Sequence, residues 1–200
     1  MDQNKPANDR ESSEALDKNR PDHRSLLRKA EQFMLSEFGS LTVEQLNWSP
    51  GGDSWSIGQC LDHIIVTDSL YFPVFDAIRE GRYEMSFWQK WSPFSRMFGR
   101  MLINQLGEVA TKKYKSPKSF QPDVKPLGIE VIRRYSKHQD TFIEFIESLQ
   151  PGQDKKIKLS SPASKFITYS VADAVQMLVQ HQYRHLNQAN RVKNMGGFPR

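Results

Sequence analysis

The sequence predicts an all-α fold, a four-helix bundle with an extra helix in a middle insertion. Three observations carry that expectation. Apolar residues recur at three- and four-residue spacing in four long segments. Proline and glycine punctuate the gaps between them, and strand-like runs are confined to one short stretch. Two hundred residues with 38% hydrophobic content suffice for one sizeable core, so residues 21–200 read as one domain.

Residues 1–20 are polar, contain Pro6 and lie just before Pro21, which predicts a disordered arm. The first helix is expected over 22–38, where Leu26, Leu27, Ala30, Phe33, Met34 and Phe38 form its stripe. "NWSPGGDSWS" then breaks the chain. A second helix opens after Ser56, because Ser56 and Gln59 have the spacing of a capping box, and runs to about Glu80 with a kink at Pro73.

Within the insertion, Phe94, Met97, Phe98, Met101, Leu102, Gln105, Leu106 and Val109 predict an amphipathic helix over 93–110. A membrane-surface helix has the same pattern, but packing on the bundle or on a second subunit is the expected fate of this stripe. The next helix spans 127–149 and stops at Pro151-Gly152. Runs 155–159 and 166–169 suggest a small hairpin. The last helix starts at Ser170, boxed with Asp173, and continues to about Met195 before Gly196-Gly197.

No apolar run reaches the length of a membrane span, and the first residues lack the apolar centre of a signal peptide. A cytoplasmic protein without membrane insertion is expected. The single cysteine, Cys60, permits no internal disulfide and reads as core filler. The net charge of +5 is uneven: residues 79–137 hold thirteen Lys and Arg against five acidic residues. Such a segment attracts polyanions, yet no nucleic-acid recognition signature accompanies it. A solvated connection is expected, not a nucleic-acid interface.

The stretch "VQHQYRHLNQANRV" (179–192) is the most informative. His181 and His185, one helical turn apart, share a face, with Cβ atoms about 6 Å from each other. They interrupt an inward stripe of Ala174, Leu178, Gln188 and Val192. His63 interrupts a similar stripe in the second helix, among Gln59, Val66, Leu70 and Val74. Three neutral imidazoles would make a ligand set for a divalent metal with a position left open. Three core histidines bonded to each other, to glutamine or to water would give the same pattern.

"WSIGQCLDHI" (55–64) followed by "HQYRHLNQANRV" (181–192) resembles the DinB-like, or YfiT-like, superfamily of metal-dependent enzymes. Trp55, Ser56, Leu61 and His63 match its first motif, and His181, His185 and Gln188 its second. The resemblance spans about 22–195 and omits the N-terminal arm and the basic 81–127 insertion. It implies up-down-down-up connectivity and a divalent ion, zinc or nickel, on His63, His181 and His185. Gln188 and Asp62 are candidates to orient a ligand histidine, although Asp62, about 100° round the helix from His63, is expected to face solvent. His138 is a candidate additional group, with a surface or core place the commoner fate.

Such a site lowers the pKa of bound water or thiol. Some superfamily members are thiol S-transferases that use low-molecular-weight thiols, and hydrolase activity is ascribed to others. No Ser/His/Asp arrangement, phosphate loop or Cys-x-x-Cys motif competes for the active site. A general base is missing, which favours thiol transfer on a small-molecule substrate. The alternative is a non-catalytic metal-binding stress-response or interaction protein. The apolar surface of 93–110 further implies a homodimer.

Overall fold

A computed structural model describes residues 22–52, 54–106, 117–123 and 126–200. The expected N-terminal arm, the end of the 93–110 segment and the lysines at 112, 113 and 115 lie outside them. The helices are α1 (His23–Phe38), α2 (Val43–Asn47), α3 (Ile57–Ser69), α4 (Phe72–Arg79), α5 (Phe87–Trp91), α6 (Ser95–Leu106), α7 (Glu130–Ser148), α8 (Gln153–Lys156) and α9 (Val171–Lys193). A 3-10 turn covers Lys118–Phe120, and strands β1 (Lys158–Ser161) and β2 (Ser164–Ser170) form an antiparallel hairpin.

Helices α1, α3, α7 and α9 form the bundle, and their cross-links give its direction. Arg28 pairs with Asp140 and Arg24 with Glu147, so α1 and α7 are antiparallel. The Tyr183 hydroxyl donates to the Leu26 carbonyl and Lys193 to that of Glu37, so α1 and α9 run together. Asp62–Arg134 and Asp68–His138 set α3 parallel to α7, and Trp55–His185 with His63–His181 sets it antiparallel to α9. Up, down, down, up is the only order that satisfies all four.

Local chemistry explains the boundaries. Ser56 accepts from the Gln59 amide while the Gln59 side chain accepts from Ser56 N–H, and Ser170 with Asp173 repeats the box at α9. Thr42/Gln45 and Ser86/Gln89 cap α2 and α5 in the same way. The second long helix is not continuous. It stops at Ser69, and Leu70 and Tyr71 separate it from α4. Pro73 lies in the first turn of α4, where its missing N–H leaves no bond unmade, so the proline starts a helix and does not kink one.

The buried apolar residues fall into two clusters. One gathers Phe38, Leu46, Leu61, Ile64, Tyr135 and Leu186. The other gathers Phe75, Phe142, Phe145, Tyr169 and Leu178. At the level between them each of three helices turns polar: α3 at Asp68, α7 at His138 and Gln139, α9 at His181 and Gln182. A one-turn slip of any helix would set these groups against apolar side chains, at a cost of about 1–3 kcal/mol for each bond lost.

The insertion helix α6 lies on α9 and β2 through an unexpected face. Ser95 and Gly99 are buried, and Leu102, Ile103 and Leu106 pack on the second cluster. The Ser95 hydroxyl meets that of Thr168 at 2.8 Å. Phe94, Met97 and Met101, which the stripe placed inward with Leu102 and Leu106, are exposed instead. Small residues allow the closer backbone approach, and that decides the orientation over bulk hydrophobicity. Among the described residues no helix is long and apolar enough to cross a membrane.

Candidate metal centre

His63 lies at the middle of α3, while His181 and His185 occupy one face of α9. Because the two helices are antiparallel neighbours, the three rings converge. Each offers a ligand atom within 4.8 Å of the others, and all three residues are buried. His63 Nε2 and His181 Nε2 are 3.2 Å apart. The rings of His63 and His185 stand edge to face at 4.4 Å, as do those of His181 and His185.

The outer nitrogens fix the tautomers of two rings. A carbonyl can only accept, so the contact between His63 Nδ1 and the Phe120 carbonyl, 2.5 Å long, places the proton on Nδ1. His63 Nε2 is then a lone pair aimed at His181. His185 Nδ1 lies 3.0 Å from Gln188 Oε1, which holds its proton in the same way. His185 therefore also presents Nε2 as a lone pair. His181 Nδ1 is buried without a hydrogen-bond partner among the described residues.

Burial also keeps the rings neutral. It lowers the His63 pKa to about 4, against the Phe120 carbonyl and the charge of Asp62, which act to raise it. Burial pushes His181 and His185 well below the ordinary histidine value, helped by the neighbouring imidazoles and Arg184. Neutral imidazoles with inward lone pairs are the ligand form. A neutral His181 with its proton on Nε2 donates to His63 Nε2 across the 3.2 Å gap, and a shift of that proton to Nδ1 turns all three Nε2 lone pairs inward without charging a ring. The donor set fits a divalent metal.

Trp55 covers two of the rings, its centroid 4.7 Å from His63 and 5.6 Å from His185. The motif contained this residue, but its place over the histidines could not be read from spacing. The Phe120 carbonyl has no sequence signal at all, since any residue supplies one. Gln188, a candidate from the sequence, does sit on His185.

Asp62 and His138 are placed elsewhere. Asp62 does not face solvent: it is 3% exposed, pairs with Arg134 at 3.0 Å and accepts from the Asp123 N–H at 2.9 Å. Its carboxylate thus anchors the loop that carries Phe120 across to His63. His138 Nε2 bonds to Asp68 Oδ2 at 3.0 Å, with its ring stacked on Phe72. It is a core residue and is not among the nitrogens gathered at the cluster. Gln182 also donates to Asp68, and Tyr135 and Gln139 donate to Gln182. This network was not legible, because none of its members is spaced like a motif. Cys60 is buried and its thiol is pushed up to about 12 by desolvation, so it stays a small hydrophobe.

Comparison with known proteins agrees with the geometry. A family model described as the DinB superfamily matches residues 26–189, a span that includes all three histidines. No curated protein and no solved structure gives a significant match.

Proposed function

Since the chain belongs to the DinB superfamily, we propose that it is a divalent-metal-dependent enzyme, with zinc or nickel on His63, His181 and His185, that transfers a low-molecular-weight thiol to an electrophilic small molecule. The convergence of three neutral imidazoles within 4.8 Å supports this reading above all else. A divalent ion held by three neutral ligands keeps its full charge and supplies Lewis acidity that favours the thiolate over the thiol.

The chain's own groups do the positioning. The Phe120 carbonyl and Gln188 hold His63 and His185 with their Nε2 atoms inward. Trp55 and the flanking apolar residues exclude water from two of the rings, which strengthens electrostatic interactions there. Among the described residues no carboxylate lies with the three histidines. Such an ion acidifies bound water and bound thiol alike, and thiol transfer is preferred because a thiolate is the stronger nucleophile while hydrolysis usually calls on an added acid–base group.

The burial of all three histidines supports a second reading, in which the ion only stabilises the bundle and the protein acts by interaction. Elemental analysis of untagged protein beside His185→Ala, followed by a screen of cytosolic thiols against an electrophile, separates the two. One equivalent of metal lost in the variant, with metal-dependent turnover, supports the enzyme. The same metal content without turnover for any thiol or hydrolysable ester supports the structural role. No metal in either protein refutes both.

A further inference from the structure

We propose that the aromatic edge built from α5, the start of α6 and the β1–β2 hairpin docks the protein on an anionic lipid surface. The inference is independent of the metal centre. Phe87, Trp91 and Phe166 are 77%, 73% and 64% exposed, the rings of Phe87 and Trp91 lie 6.3 Å apart, and Phe94 and Met97, next along the chain, are exposed too. So many large apolar side chains left exposed on neighbouring elements are uncommon on a protein surface without a binding role.

The edge is constructed. The Trp88 indole N–H donates to the Phe166 carbonyl at 3.1 Å, and the Gln89 side chain donates to Ser160 at 3.1 Å, tying α5 to both strands. A capping box fixes the start of α5. Helix α6 is held by the face that carries Ser95 and Gly99, which leaves Phe94, Met97 and Met101 outside. Aromatic side chains gain most at the interface between water and acyl chains, where rings are buried and the indole N–H stays hydrated.

Charge selects the occupant. Lys90, Arg96 and Arg100 lie among these residues, and Lys165 sits over the Phe166 ring. Residues 85–106 contain no Asp or Glu. A second copy on the same face would set these cations against themselves, because a two-fold interface meets its own patch. Side chains exposed to this degree are knobs, not the walls of a groove that would seat a helix or strand of a protein partner. A planar anionic surface satisfies both the rings and the cations.

The test is flotation of the full-length protein with phosphatidylcholine vesicles, with and without phosphatidylglycerol. The expected result is binding to the anionic vesicles alone, weakened by salt, with tryptophan emission shifted to shorter wavelength. Each of Lys90→Glu and Arg100→Glu should weaken binding roughly fivefold or more. Phe87→Ser with Trp91→Ser should abolish it at an unchanged melting temperature, which shows the fold intact. Failure of the wild type to float with anionic vesicles overturns the proposal, as does equal flotation of the variants. A dimer in solution that Trp91→Ser dissociates would assign the edge to a second copy and overturn it too.

Discussion

His63 Nε2 and His181 Nε2 confront each other across 3.2 Å in the interior of the bundle, the former with its proton fixed on the far side of the ring by the Phe120 carbonyl. In the metal-free protein a neutral His181 can donate to His63 here, and a divalent ion would replace that single proton with bonds to all three rings. Addition of zinc or nickel at a hundredfold excess over its dissociation constant should therefore raise stability by about 2.7 kcal/mol, or roughly 5–10 °C in melting temperature. Thermal melts of metal-free protein with and without the ion check this, and His63→Ala should remove the response.

Gln188 fixes the ring orientation of His185 through one contact of 3.0 Å. Gln188→Ala should leave the fold intact and weaken metal affinity by about ten- to a hundredfold. Competition with a chromophoric chelator measures the change. Equal affinity in the two proteins would show that Gln188 does not orient the ring.

Acid should destabilise the metal-free protein, and the sign follows from the three histidines. Their folded pKa values lie below the ordinary value of 6.5, at about 4 for His63, so in that window the unfolded chain binds protons that the folded one does not. Stability is then greatest above the unfolded pKa and is lost as pH falls, by about 1.4 kcal/mol per pH unit for each histidine. Asp68 opposes this, because burial raises its pKa and the folded state holds the proton more tightly there. Three groups outweigh one. Melting temperatures recorded from about pH 7 to about pH 5 should fall steadily.

Gly99→Ala should destabilise, although alanine is the better helix former by about 1 kcal/mol. A Cβ at Gly99 would come 2.5 Å from Asp173 Oδ2 and 3.0 Å from its Cβ. The same carboxylate accepts from Ser170 in the box that starts α9, so it cannot swing away without uncapping that helix. The expected net loss is about 1–3 kcal/mol in urea unfolding. A gain would mean that α6 slides freely on α9.

Much of this was legible in the residues. Ser56 with Gln59 and Ser170 with Asp173 marked the starts of α3 and α9, because a capping box is a local arrangement with a fixed spacing. His181 and His185 stood out as polar interruptions of an apolar stripe. The capping pairs Thr42/Gln45 and Ser86/Gln89 carry the same signal, but the helices they open are too short to show an apolar period. Other features were hidden for physical reasons. The inward face of α6 was set by the size of Ser95 and Gly99, which apolar periodicity does not register. Asp62 was drawn inward by Arg134 and the Asp123 amide, partners from elements far along the chain. A carbonyl such as that of Phe120 has no letter of its own.

The parallel run of the first and last bundle helices has a kinetic meaning. His63 and His181 are separated by 118 positions along the chain, with the whole of α7 between them in sequence. Closing so long a loop comes late in folding, because its entropy must be offset by contacts already made. An ion that needs all three rings thus arrives at a finished scaffold and acts as a latch on unfolding, so the metal-free chain must carry all the information for reaching its native topology.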